Sequence, residues 1–319
     1  MIDIPKFTEK LEFEDINEVI TKNYSLISKE YTTFLSEWLT NTNKIFKDSV
    51  KFYILIYIFN KNLEFYNNNL IEFDYETFNK TNQFDINKIN IAEIAKNLNI
   101  PKETARRKIL ELENQGVIIR KKKNIIIDKN SFTLFDIIQT LNSLANLLVK
   151  IYNVCAREKV TTGNISKDEI FIKIKKRFSF VMFHYFEFII PWTMRWKKFF
   201  DNDIELFIIW SVIVLNKTVK LVKVHNEKLN ITSWRSEIEQ MNTQGVNKMS
   251  LADITGIPRP TVSRKITKLF NRKLVQIDEY KLIHPQTTMY KRELYNIHNL
   301  SINSFSKFTV KVCNRIIFN

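Results

Sequence analysis

The chain is 319 residues long, enough for two domains with separate cores. Its 49 lysines and arginines against 34 acids leave a formal net charge of +15 and a pI near 9.5, which favours nucleic acid or an anionic membrane surface as partner. Two cysteines far apart, Cys155 and Cys313, exclude a disulfide framework and fit a reducing cytoplasm.

The first residues, Met1 to Lys6, show no charged-then-apolar signal pattern, so secretion is not expected. From Asp15 to Asn41, Ile16, Val19, Ile20, Ile27, Phe34, Leu35 and Trp38 recur at helical spacing and predict one long amphipathic helix. Asp48 or Ser49 then suits an N-cap, with a second helix to about Tyr66 turning Phe52, Leu55, Ile56 and Phe59 inward. The polar stretch 67–87 reads as a loop. Residues Ile89–Ile118 read as helix, turn and helix, and Val117–Ile127 as a hairpin with three lysines at its tip. Ser131–Glu158 is again helical, and Lys159–Ser166 is the best linker, with Ser166 and Glu169 spaced as a capping box. Trp192, Phe199-Phe200 and Asp203 then echo Trp38, Ile45-Phe46 and Asp48, so a second helical hairpin is expected. Pro191 should kink or end the helix before it. The apolar run Ile204–Leu215, broken by Glu205, is too short to span a bilayer and reads as part of a buried helix to about Val224. The tail beyond Pro285 is polar, with a helix expected at Met289–Asn296.

The most informative stretch lies between these last two regions. Met249–Gly256 reads as a short helix stopped by a glycine, which enters the left-handed region freely. Ile257–Leu269 then has a turn, a proline-primed start and a helix with Val262, Ile266 and Leu269 on one stripe. Arg259, Arg264, Lys265 and Lys268 run around the other side, and Leu274–Ile283 follows as a hairpin. A rod buried along one edge and basic along the other suits insertion into a DNA groove. The same pattern occurs 157 residues earlier without a gap: Asn90, Ala95, Ile100, Pro101, Thr104, Arg107, Lys108, Ile109, Leu112 and Asn114 each meet their own residue type. The expected fold is therefore mainly α with small β-hairpin wings: two winged helix-turn-helix units made by internal duplication, each preceded by a helical hairpin. The first unit spans 89–116 with its wing at 117–127, inside a first half 1–158. The second spans 246–273 with its wing at 274–283, inside a second half 159–319.

The phrase Ile257-Pro-Arg-Pro-Thr-Val-Ser-Arg264 resembles the start of the recognition helix in MarR-type and Crp-type bacterial transcriptional regulators. That resemblance covers the second unit alone and implies reading of double-stranded DNA by its second helix.

Facing residues give the DNA-binding candidates. On the first unit they are Lys102, Thr104, Arg106, Arg107 and Lys108, with Lys121, Lys122 and Lys123 on the wing. On the second they are Arg259, Thr261, Ser263, Arg264, Lys265 and Lys268. At about 100° per residue, Glu103, Arg107, Leu110 and Glu111 face outward on the first helix, and Pro260, Arg264, Thr267 and Lys268 on the second. Arg107 and Arg264 are equivalent, and either could grip guanine O6 and N7 or clamp a phosphate. Between Pro101 and Glu113, Lys102, Arg106, Arg107 and Lys108 are offset by Glu103, Glu111 and Glu113. Between Pro258 and Lys273 six basic residues meet no acid, so the second unit is expected to bind more strongly by counterion release. The first is expected to lean on its wing, Arg120 included.

Little else in the chain suggests chemistry. Four glycines give no phosphate-cradling loop, and His184, His225, His284 and His298 are too scattered for a metal set. No nucleophile elbow or acid–base pair emerges, so neither an enzyme nor a cofactor is expected. Trp192, Trp196, Phe199, Phe200 and Trp210 read as core, with a ligand pocket as the lesser alternative. The reading is thus a cytoplasmic regulator with double-stranded DNA as partner and no membrane. One chain already supplies two reading helices, a homodimer is compatible with the sequence, and no effector can be named from it. The alternatives are a plasmid-type replication initiator with two winged helices and a winged-helix protein-interaction module, the latter compatible with Glu103 and Glu111.

Overall fold

The computed structural model describes residues 10–46, 48–80, 89–121, 124–128, 134, 136–224, 228–240, 243–286 and 288–318. Two helices, α1 (Phe13–Lys22) and α2 (Tyr24–Phe46), replace the single one expected from Asp15 to Asn41. The apolar spacing runs on across the break, but buried Asn23 caps α1, its backbone and side-chain N–H groups both donating to the Val19 carbonyl. Asparagine competes with the helical ladder in this way, and periodicity does not register it. Helix α3 (Ser49–Asn68) opens at Asp48, whose carboxylate accepts from the N–H groups of Val50 and Lys51.

A short helix, α4 (Tyr75–Lys80), occupies part of the expected loop. Then come α5 (Ile91–Asn97), α6 (Lys102–Asn114) and an antiparallel pair, β1 (Ile118–Lys121) with β2 (Asn124–Ile127). Helices α7 (Ile137–Arg157), α8 (Lys167–Lys176) and α9 (Phe178–Phe199) lead into the second half, with Ser166 capping α8 through the Glu169 N–H. Of the kink or end expected at Pro191, the end does not occur: α9 runs through it. It is buried on nearly every face, and that packing outweighs the one backbone bond a proline cannot make. The order closes with α10 (Ile204–Val224), α11 (Ile231–Gln240), α12 (Lys248–Thr255), α13 (Arg259–Asn271), β3 (Val275–Ile277), β4 (Ile283–Pro285) and α14 (Lys291–Ile317). Helix α14 far exceeds the short helix expected near Met289: its buried stripe mixes Phe305, Phe308 and Val312 with Ser301, Ser306 and Thr309, which dilutes the apolar signal.

The two halves do not keep separate cores. Helix α2 packs on α10 and α3 on α9; α1 lies on α14 and α8 on α7; α7 lies on α2 and α14 on α9. Each of these contacts is thus matched by one with the halves exchanged, and the buried side chains form one continuous cluster from Leu11 to Ile316. The same exchange governs the starts of α2 and α9. The Ser25 N–H donates to the Leu229 carbonyl (3.1 Å) while its Oγ accepts from the Leu229 N–H (2.8 Å). Ser179 makes the identical pair with Phe73, at 3.0 and 2.8 Å. Between them the Trp38 indole donates to Thr193 Oγ1 at 3.2 Å and its ring meets Tyr185 edge-on at 5.6 Å. Among the described residues no helix is long and apolar enough to cross a membrane.

Candidate nucleic-acid interface

Helices α5 and α6 form the first helix-turn-helix. Asn90 caps α5 by accepting from the Ala92 and Glu93 N–H groups, the turn passes through Asn99 at φ 50°, and Pro101 sets the entry to α6. Ala105, Ile109 and Leu112 are wholly buried on one stripe, as their spacing requires. Helices α12 and α13 repeat this geometry: Asn247 caps α12, Gly256 turns at φ 68°, Pro258 leads into α13, and Val262, Ile266 and Leu269 are buried. After α13, β3 and β4 pair antiparallel, and Val246 joins the same ladder through Ile283.

The candidate residues divide by what they touch. Lys102, Arg106 and Arg107 on α6 and Arg259, Arg264 and Lys268 on α13 are exposed, while Thr104, Thr261 and Ser263 are half-buried at the helix starts. Lys108 and Lys265, expected on the DNA side, are instead turned inward. The Lys108 ammonium lies 2.8 Å from Asp48 and 2.9 Å from Glu111, and that of Lys265 2.6 Å from Asp203 and 3.2 Å from Glu205. Asp48 precedes α3 and Asp203 precedes α10, so in both places the acid that starts a long helix also holds a helix of the candidate interface, α6 or α13. Glu111 is likewise not an outward residue: hydrogen bonds from Lys51 and Lys108 bring it onto α3 and hold its carboxyl down to about 2.

These acids change the charge comparison. Lys268 lies 3.5 Å from Asp201, and Arg272 donates to Asp201 (3.2 Å) and to the Phe199 carbonyl (2.9 Å). Three of the six basic residues from Pro258 to Lys273 are therefore partly neutralised by the α9–α10 turn. Arg259, Arg264 and Lys273 are exposed and meet no acid among the described residues. On α6, Arg106 pairs with Glu103 at 3.0 Å and Arg107 stands 3.9 Å from Glu111. A phosphate must compete with those carboxylates there, whereas Arg264 is free to meet one. On the first wing Arg120 is taken by Glu113 at 2.8 Å. Lys121 is described only as strand backbone, and Lys122 and Lys123 lie outside the described residues.

Asp201, Asp203 and Glu205 were not singled out as partners because some sixty positions separate them from α13 (Lys265 from Asp203, for instance). A signal did exist: an N-capping Asp ahead of each long helix and a Lys at one register position on each reading helix. Among the described residues no group of three or more metal-ligating side chains is placed to hold an ion.

Residues 85–126, which span α5, α6 and most of the first wing, match the DeoR-like helix-turn-helix domain. No curated protein and no solved structure matches the chain. The first unit is thus a helix-turn-helix of the DNA-binding kind, and the match supports DNA as the partner and regulation of transcription as the role.

Proposed function

We propose that the chain is a transcriptional regulator that reads double-stranded DNA through two winged helix-turn-helix units, α5–α6 with β1–β2 and α12–α13 with β3–β4, descended from one duplicated segment. The observation that carries this reading is the recurring anchor: Lys108 on Asp48 and Lys265 on Asp203, each fixing a thirteen-residue reading helix against the start of a long buried helix. The exchanged helix packing and the twin Ser25 and Ser179 pairs support the same origin, as two copies of a unit that once faced each other as separate chains. The likeness of Ile257–Arg264 to MarR-type and Crp-type reading helices belongs to this proposal for the second unit.

The role is binding, with no catalytic step. A replication initiator would use the same surfaces and is distinguished by directly repeated sites beside an origin. The exposed, unpaired Arg264 favours a polyanion over a protein partner. Selection of bound fragments from a random duplex pool, followed by footprinting, tests the reading. Enriched fragments should protect two separated half-sites with one chain bound; a pool that shows no enrichment above non-specific retention would overturn it.

A further inference from the structure

We propose a binding site for a small apolar anion, about one ring in size, in a cavity between α2 of the first half and α9, α10, α11 and α14 of the second. The cavity measures about 150 Å³, with Tyr31, Trp192, Trp196, Trp210, Arg235 and His298 in its wall. Three side chains of that wall, Tyr31, Trp196 and Trp210, also bury a hydroxyl or indole N–H that has no hydrogen-bond partner among the described residues. Arg235 is 8% exposed and meets no carboxylate among the described residues. Its guanidinium donates to His298 Nδ1 (3.1 Å) and Asn299 Oδ1 (2.7 Å) and stacks over Tyr295 at 4.6 Å. The acid at the cavity edge, Glu239, is occupied by Lys291 and the Tyr295 hydroxyl, at 2.7 and 2.8 Å. A buried cation with no carboxylate partner among the described residues calls for a negative charge, and the indole walls call for a flat apolar body.

The first half shows what this place looks like when it is only core. Under the duplication reading, its counterpart is lined by Trp38, Leu55, Ile56, Phe59 and Tyr185 and leaves about 50 Å³. Trp38 and Tyr185 correspond to Trp192 and Tyr31, but Ser211 stands where Ile56 does and Val214 where Phe59 does. Close packing is the default for a protein interior, and an open cavity costs stability. The first half fills with Ile56 and Phe59 the space that the second keeps open at Ser211 and Val214, although a separate space of about 150 Å³ remains on the other side of Trp38, beside Phe52 and Tyr185. Pro285 at the end of β4 and Phe207 on α10 also line the cavity, and α10 is the helix whose start holds Lys265. Occupancy is therefore expected to shift DNA affinity several-fold; that consequence rests on the DNA-reading proposal, whereas the site itself does not.

The test is calorimetric titration of the full chain with benzoate, and with benzyl alcohol as its neutral counterpart, alongside tryptophan fluorescence. Benzoate should bind one to one and quench the indoles, with benzyl alcohol at least ten-fold weaker. Ser211→Ile, which copies the first half's filling, should remove benzoate binding while leaving the circular dichroism unchanged. Arg235→Gln should remove the preference for the anion and decides the matter if the first variant fails to fold. Absence of benzoate binding, equal binding of the two probes, or undiminished binding by both variants would overturn the site. Loss of DNA binding in the unliganded chain would instead overturn the reading of the DNA units and leave the site standing.

Discussion

Arg264 and Lys265 are neighbours in sequence and opposites in role. Arg264 is exposed and meets no acid among the described residues, so Arg264→Ala should weaken DNA binding by about 1–3 kcal/mol, roughly five-fold to a hundred-fold or more. Arg107→Ala should cost less, since Glu111 and the Glu103–Arg106 pair already screen that face; equal losses in a gel-shift series would contradict the asymmetry. Lys265→Met should leave the salt dependence of binding unchanged but lower stability by about 2 kcal/mol, between the values for exposed and buried ion pairs. A fall of about one in the salt slope would mean that Lys265 reaches a phosphate after all. His298 supplies a pH dependence. Burial, then the adjacent Arg235, pushes its imidazole down to about 3, so it stays neutral in the fold, Nδ1 accepting from Arg235. The unfolded chain takes up that proton near pH 6.5 and the folded chain does not. Stability is therefore whole above pH 6.5 and lost as pH falls toward 3, by at most about 1.4 kcal/mol per unit. Urea midpoints at pH 7 and pH 5 should show the loss, and His298→Gln should flatten it.

At the scale of elements, the two helix-turn-helix units agree in backbone more closely than in residue type. The turn position is Asn99 at φ 50° in one and Gly256 at φ 68° in the other; the position after the reading helix is Gly116 at φ 68° and Lys273 at φ 56°. Both sites need left-handed backbone, which glycine adopts freely, asparagine tolerates and lysine adopts at a cost of about 1 kcal/mol. Lys273→Gly should therefore raise the unfolding midpoint and Gly256→Ala lower it, each by about 1 kcal/mol; changes of the same sign would contradict a shared geometry. Helices α6 and α13 were legible because a buried stripe at three-and-four spacing and a proline start are local signals. Asn23 and Pro191 mark the reach of such local signals. The first ends a helix inside an unbroken apolar pattern, and the second sits within a helix whose surroundings hold it. In both cases a non-local environment decides, and no window of sequence contains it.

The molecule as a whole is organised by exchange. The interleaving of its halves was not legible in the sequence, because the packing of α2 on α10 and of α3 on α9 depends on faces some 150 residues apart, such as Trp38 against Thr193. For the same reason the acids holding Lys108 and Lys265 were readable as helix caps but not as anchors. If the exchange holds the halves together, Ser25→Ala and Ser179→Ala should each cost about 1 kcal/mol and unfold both halves in one transition; two separate transitions would point to independent domains. If α13 reads DNA as α6 is proposed to, two reading helices on one continuous core would let a single chain cover a complete site. Titration of a selected duplex over a salt series, with the mass of the complex measured alongside, tests this most directly. One chain per duplex is expected, with affinity falling linearly on logarithmic axes as salt rises and the Arg264→Ala chain markedly weaker. Binding that needs two chains, or that ignores both salt and Arg264, would contradict it.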